Sequence, residues 1–267
     1  MILAIDIGNT NIVIGCMDRE EVLFTERLST DPAKTSMEYA ILFRVALDMH
    51  QIDPVMIAGA IISSVVPQIT PVVRTALRKT TGRQAYVLGP GTRTGLNIRI
   101  DDPSSVGADL VAGAVGALAL FKPPLVVVDM GTATTLSVVD RDGNYIGGTI
   151  MPGLRLSLTS LVSRTSMLQG TSLDVPKHVI GSSTAEAMRS GIVLGHAAAI
   201  DGLLDRVEEE LGEKVTVVAT GGLASKVIPC CRHKITLDNA LLLTGLSIIY
   251  GKMSGDENNA RKRKGIN

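Results

Sequence analysis

The sequence predicts a mixed α/β protein in which one strand-rich unit is written twice. Short apolar strands alternate with capped helical segments, which points to a mostly parallel sheet that opens with an antiparallel hairpin. The string Asp6-Ile7-Gly8-Asn9-Thr10-Asn11 in the first half has a counterpart, Asp129-Met130-Gly131-Thr132-Ala133-Thr134-Thr135, in the second. Each follows an apolar run, 1–5 or 125–128, and precedes another, 12–14 or 136–139. The order strand, acidic glycine turn, strand is therefore repeated. A chain of 267 residues, 45% hydrophobic and with a mean hydropathy of +0.30, can fill one large or two medium cores.

The elements follow in order. Strands are expected at 1–6, 11–17 and 21–29. Thr35-Ser36-Met37-Glu38 has the spacing of a capping box and opens a helix to about Gln51, with Ala40, Ile41, Phe43 and Leu47 at helical spacing. A buried strand at 57–62 ends in Ser63-Ser64. Thr70-Pro71 supplies an N-cap and a first-turn proline for a helix at 71–80. A strand at 85–88 and a loop at 89–103 follow. Ser104 or Ser105 caps a small-sided helix that runs to about Phe121. Lys122-Pro123-Pro124 marks the boundary. The second half repeats the scheme, with strands at 125–129, 134–140 and 144–151 and a turn at Asp142-Gly143. A helix at 154–163 follows Pro152-Gly153. Ser183-Thr184-Ala185-Glu186 is a second capping box and opens a helix to Leu211. A strand at 215–220 runs into Gly221-Gly222, and a last helix covers 238–252. The expected domains are 1–121 and 122–255, with a polar, basic tail at 256–267.

Composition excludes several classes. Basic and acidic residues balance at 26 each, the pI is near 6.9, and there is no Trp. This is not the profile of a nucleic-acid-binding or membrane-surface protein. Cys16, Cys230 and Cys231 form neither a disulfide framework nor a Cys-x-x-Cys pair, and Cys16 reads as core. Met1 leads straight into a strand without a basic leader, and Lys122-Pro123-Pro124 interrupts the longest apolar stretch. A soluble cytoplasmic protein is expected. His50, His178, His196 and His233 lack zinc-ligand spacing; His196 reads as a satisfied residue on an apolar helix face rather than a catalyst.

The chemistry centres on the two turns. Either turn alone reads equally well as a tight hairpin. Paired, they suit a nucleotide polyphosphate and its metal. A glycine lets the backbone approach a phosphate, and a carboxylate at the end of a buried strand calls for a cation or a donor. Phosphoryl transfer asks mainly for positioning and charge neutralisation. Asp6 and Asp129 are the cation candidates. Gly8, Asn9, Thr10, Asn11, Gly131, Thr132 and Thr134 offer donors. Gly221-Gly222 is either an adenosine contact or an ordinary strand-to-helix turn. Asp109, in Val106-Gly107-Ala108-Asp109-Leu110, is either the base or a helix-start acid stabilised by the dipole, and that position predicts a low pKa.

The twofold repeat resembles the actin/Hsp70/sugar-kinase ATPases, an α/β class of two duplicated ribonuclease H-like domains with a nucleotide cleft between them. Over residues 1–250 the chain resembles the type III pantothenate kinases. The resemblance is carried by Asp6 through Asn11, Pro103 with Val106-Gly107-Ala108-Asp109, Asp129 through Thr135, Gly147 through Gly153, Ser183-Thr184 and Thr220-Gly221-Gly222. It implies that Asp6, Ile7, Gly8, Asn9, Thr10, Asn11, Ile12 and Val13 contact the phosphates of ATP and its Mg²⁺, and that Thr132 also contacts ATP. It makes Asp109 the catalytic base toward the primary alcohol of pantothenate. Gly107, Ala108, Asp109 and Leu110 would line the pantothenate pocket, with Ile100 nearby. Asp129 would bind a monovalent cation, K⁺ or NH₄⁺. Thr184 would reach pantothenate from the other subunit of a homodimer. The implied reaction yields 4′-phosphopantothenate, the first step toward coenzyme A.

Two positions depart from the family pattern. Leu110 stands where an Arg is common after the base, and Ile100 stands where a Tyr is frequent, removing a hydrogen-bond donor. Arg93 and Arg99 are the cations available to compensate. The alternatives are a kinase of another small alcohol or acid, and a nucleotide-binding regulator of the same fold without turnover. Intact Asp6, Asp109 and Asp129 favour an enzyme.

Overall fold

The computed structural model describes residues 1–19 and 21–263. The chain forms two compact units. The first takes Met1–Asn97, Asp101–Ala119 and the C-terminal helix; the second takes Ile98–Ile100 and Leu120–Asn239.

In the first unit β1 (Ile2–Ile7), β2 (Asn11–Asp18) and β3 (Glu21–Ser29) form an antiparallel meander. Helix α1 (Ser36–Met49) leads to β4 (Gly59–Ser64), and α2 (Thr70–Thr81) leads to β5 (Ala85–Val87); β4 lies parallel to β1 and β5 parallel to β4. The sheet order is β3-β2-β1-β4-β5. Helix α3 (Ala108–Leu120) follows a short strand, β6 (Asn97–Ile98), which joins the other sheet. β1 and β4 are buried almost throughout, as a parallel core requires, and Tyr39, Phe43 and Leu47 of α1 close over them.

The second unit repeats the scheme. β7 (Leu125–Met130), β8 (Ala133–Val139) and β9 (Asn144–Pro152) form the meander; α4 (Leu154–Arg164) and the long α5 (Thr184–Leu211) follow. β10 (Thr216–Thr220), the short α6 (Ala224–Val227) and β11 (Ile235–Leu237) complete it, with β10 parallel to β7 and β11 parallel to β10. The order β11-β10-β7-β8-β9-β6 is the first sheet's order with one edge strand added. Both meanders also shift register between their second and third strands, at Cys16/Met17 and at Val138/Val139. The duplication expected from two turns thus extends to strand order, direction and irregularity.

The last helix, α7 (Leu241–Arg263), corrects the expected partition. Read as part of 122–255, it belongs instead to the first unit. Its buried face carries Leu241, Leu243, Leu246 and Ile249. Leu243 fills the space left by Gly15 on β2, and Tyr250 fills that left by Gly59 on β4. Gly245 and Gly116 bring the backbones of α7 and α3 together, where a side chain on either glycine would strike the other helix. The helix also runs beyond the expected 252. Of the expected tail, 256–263 continue α7, and 264–267 lie outside the described residues.

Smaller differences lie at the helix starts. The Thr35 box forms in full, with Glu38 N–H on Thr35 Oγ1 and Thr35 N–H on the Glu38 carboxylate. At the second box Ser183 caps Glu186 N–H, but the Glu186 carboxylate takes the N–H and hydroxyl of Ser182 instead. Thr70 lies inside α2, and its hydroxyl serves Ser64 and Val66. Ser104 and Ser105 sit in a 3-10 turn ahead of α3. Ile41, one of the apolar positions at helical spacing, is 50% exposed.

Candidate active site

The two acidic turns occupy equivalent places in the two units. Asp6 ends β1, opposite Val13 on β2 and Ser63 on β4. Asp129 stands near the end of β7, opposite Thr135 on β8 and Thr220 on β10. Each turn is closed by its glycine: Gly8 N–H donates to Asn11 O at 3.0 Å, and Gly131 N–H donates to Ala133 O at 3.0 Å. Each carboxylate thus ends the strand that pairs antiparallel on one side and parallel on the other. This is the end of an α/β sheet where ligands bind.

In the first unit Asn9, Thr10 and Asn11 are exposed and available to a ligand. Ile7 and Ile12 are fully buried, so any contact they make runs through the backbone; Val13 is half-buried. Thr30 braces the turn. Its hydroxyl donates to Gly8 O at 2.6 Å and its N–H to Thr10 O at 3.0 Å. Sequence reading missed this residue; its only signal is a hydroxyl just past β3, level with the turn. Ser63 Oγ is buried beside Asp6 and finds no partner within the protein. An orphaned hydroxyl next to a carboxylate is a donor set that fits a hydrated hard cation and a phosphate oxygen.

Asp109 lies in the first turn of α3, where Gly107 O accepts Val111 N–H at 3.1 Å. Its Oδ1 accepts the adjacent Leu110 N–H at 2.9 Å. The helix-start position predicted a low pKa, and the structure overturns that. Burial of the carboxyl pushes its pKa above the ordinary Asp range, and the N–H groups of Leu110 and Asp109 only partly oppose it. Gly107 leaves the room the carboxylate uses, because a Cβ at 107 would collide with Asp109 Oδ1. Ala108 and Leu110 flank it, half-buried.

The second unit gathers Asp129, Thr132 and Gly221 at one end of its sheet. Gly153 N–H donates to Thr132 O at 3.0 Å. Gly221 has φ +103, and a Cβ there would stand 2.6 Å from Met130 O. Its missing side chain is therefore taken up by the β7 backbone; Gly222, next to it, is exposed. The Thr134 and Thr135 hydroxyls are buried without partners within the protein, and Thr135 faces Asp129 across the strand pair. A carboxylate beside an unmatched hydroxyl suits an alkali or alkaline-earth cation, which takes oxygen ligands. Ile100 sits beside Gly147, 3.9 Å from the position of an added Cβ. Thr184 opens α5 and lines a groove of about 540 Å³ with Ser157, Leu161, Met188, Ile192 and His196.

The remaining reactive groups do other work. Burial pushes the Cys16 thiol up to about 11 and the Cys231 thiol up to about 12, so neither is a thiolate near neutrality. His233 pairs with Asp205 at 2.9 Å, close to Glu208, rather than with the neighbouring cysteines. The Lys214 ammonium and the Val215 N–H already occupy the Glu208 carboxylate.

Two five-strand cores with matched turns have the fold of the actin/sugar-kinase/Hsp70 class. Solved structures share this fold. The activator of 2-hydroxyisocaproyl-CoA dehydratase from Clostridium difficile superposes with a TM-score of 0.52 at 14% identity, over 97% of each chain. The ROK hexokinase from Thermus thermophilus gives 0.50 at 12% identity, over 94% of this chain and 99% of that one. A Campylobacter jejuni protein described as a Baf family transcriptional activator gives 0.62 at 18% identity, over 95% of this chain and 100% of that one. The sequence narrows the class. Residues 2–206 match the family model of type III pantothenate kinase. A type III pantothenate kinase of an Exiguobacterium species is 40% identical over 94% of this chain and 98% of its own, and that of Moorella thermoacetica is 38% identical over the same shares. The chain belongs to the type III pantothenate kinases.

Proposed function

We propose that this chain transfers the γ-phosphoryl group of ATP to the primary alcohol of pantothenate, giving 4′-phosphopantothenate and ADP. This is the first committed chemistry of coenzyme A biosynthesis. Family membership over residues 2–206 carries the reading. The half-buried Asp109, with its pKa raised by burial, supports it in chemical terms.

Asp109 is the base. The alcohol oxygen bonds to the γ-phosphorus as the bond to the β,γ-bridging oxygen breaks, and the alcohol proton passes to the Asp109 carboxylate. A raised pKa brings the carboxylate closer to the pH at which it works. In a loose transition state the proton leaves late, so orienting the hydroxyl is as important as basicity. The bond from Leu110 N–H to Oδ1 holds one carboxylate oxygen, leaving the other for the alcohol. Asp6 and the 7–13 backbone receive the phosphates, and Mg²⁺ on those phosphates supplies charge neutralisation. Thr132, Gly221 and Gly222 serve the nucleotide from the second unit, and Asp129 holds a monovalent cation. Gly107, Ala108 and Leu110 shape the acceptor side of the first unit, and Ile100 is the other position where the family pattern changes; with Leu110 and Ile100 both apolar, acceptor binding relies on contact area more than on charge.

The protein acts as a cytoplasmic homodimer, with Thr184 reaching the partner's acceptor. Among the described residues no helix is long and apolar enough to cross a membrane. Leu161, which lines the Thr184 groove, and Val179 and Ile180, shortly before α5 in the chain, are exposed apolar side chains suited to contact with a second copy.

A coupled ADP-release assay tests the reading. Pantothenate-dependent ADP release is expected with K⁺ and is expected to drop sharply when Na⁺ is the only monovalent cation. No pantothenate-dependent release would refute the activity; indifference to the ion would remove Asp129 from its role.

A further inference from the structure

We infer that His196 is a positioning residue for the nucleotide turn at Gly131 and Thr132. His196 belongs to none of the motifs that define the family resemblance, yet both of its ring nitrogens are committed. Nδ1 lies 2.9 Å from Ile192 O, one turn back on α5, and Nε2 lies 2.8 Å from Pro152 O at the end of β9. A nitrogen facing a carbonyl must carry the hydrogen. Each neutral tautomer therefore donates to one of the two carbonyls, and the doubly protonated ring donates to both. With the hydrogen on Nε2, in the neutral or the doubly protonated ring, the imidazole ties the helix to the last residue of the strand.

The consequence lies one residue further on. Proline has no N–H, so the carbonyl of Pro152 is its only main-chain hydrogen-bonding group. The next residue, Gly153, donates its N–H to Thr132 O at 3.0 Å. A Cβ on Gly153 would lie 2.5 Å from Gly131 O, so strand end and turn touch backbone to backbone. Gly153 also caps α4 by accepting Ser157 N–H at 2.9 Å. The path from His196 to Thr132 is thus a hydrogen bond, a covalent step and a second hydrogen bond. No other ionisable side chain lines the groove into which the imidazole faces; the rest are Ser, Thr, Gly and apolar residues. Removing the ring frees the Pro152 carbonyl and loosens the Gly153 clamp on the turn. The inference rests on the reading that Thr132 serves ATP.

The test compares full-length wild type, His196→Ala and His196→Gln by calorimetric binding of ATP, steady-state kinetics and thermal melting. Leu168→Ala, which changes the same groove without touching Pro152, is the control. The expected result is an ATP Kd and KM raised about tenfold in His196→Ala, the loss of one hydrogen bond, with kcat within about twofold. His196→Gln, whose amide can donate to a carbonyl, recovers most of the affinity, and Leu168→Ala leaves it unchanged. An ATP Kd in His196→Ala equal to wild type, with only a lower melting temperature, would overturn the inference and leave His196 a stabilising residue. So would equal losses in the Ala and Gln variants. Failure of the kinase reading looks different, because wild type would then bind ATP without phosphorylating pantothenate while the calorimetric comparison of the variants still stands.

Discussion

At the scale of the residue, Asp109 holds the most chemical information. Its position in the first turn of a helix would stabilise the carboxylate by a fraction of a kcal/mol up to about 1. Burial acts in the other direction and wins, so the carboxyl keeps its proton to higher pH than an exposed Asp. The sign for stability follows. With the folded pKa above the unfolded value, the native state binds more protons between the two, and stability falls as pH rises through that window. Asp109→Asn is therefore expected to melt at the same temperature as wild type or higher near pH 7. It is also expected to lose turnover by roughly two orders of magnitude or more, with ATP binding nearly unchanged. The acid limb of the wild-type kcat/KM profile should have its midpoint above the ordinary Asp value of about 3.9 and should vanish in the variant. Normal turnover by Asp109→Asn would show the base to be elsewhere. Gly107→Ala tests the same carboxylate from a second side. The added methyl displaces Asp109 Oδ1, the end of a flexible side chain, so folding survives. A fall in kcat of about tenfold is expected from the misplaced base; unchanged kcat would mean that the carboxylate has another productive position.

At the scale of the element, glycines decide which surfaces meet. Helix α7 lies on α3 because Gly116 and Gly245 let two backbones come within contact. Overfilling such a site costs about 1–3 kcal/mol. Gly245→Ala should destabilise the fold by that amount, seen as a lower urea midpoint with an unchanged slope, and its kcat should stay near wild type because α7 carries none of the proposed site residues. An unshifted midpoint would mean that α7 is not closely seated on α3. The twin turns show the opposite use of glycine. Gly8 and Gly131 each donate to a carbonyl two or three residues on, which exposes the acidic end of the strand without breaking either ladder.

At the scale of the molecule, the second unit exposes apolar side chains, Leu161 on the Thr184 groove and Ile180 at 89% exposure ahead of α5. Light scattering on the purified protein should give twice the 28.1 kDa chain mass, and Ile180→Glu together with Leu161→Glu should shift it toward one chain. If Thr184 acts across the dimer, the dissociated variant also loses pantothenate turnover. A wild-type mass of one chain would refute the dimer and leave Thr184 without an acceptor to reach.

The sequence by itself determined the element types, the repeat and the family, because these rest on local signals. Strand alternation, a Thr-x-x-Glu box and an Asp-x-Gly turn can each be read within a few residues. The acidic turns and Asp109 were legible for the same reason. What the tertiary structure alone decided depends on residues far apart in the chain. α7 reads as an ordinary terminal helix, and it seats on the first unit where glycines at 15, 59 and 116 leave room for it. The strands at 97–98 and 235–237 are too short for a pattern of their own and exist because a neighbouring edge pairs with them. The direction of the Asp109 shift, the orphaned Ser63 and Thr135 hydroxyls and the two carbonyls facing His196 were likewise invisible in one dimension. Each is a matter of desolvation or reach, and both are set by the atoms that fold in around a side chain rather than by its neighbours in sequence.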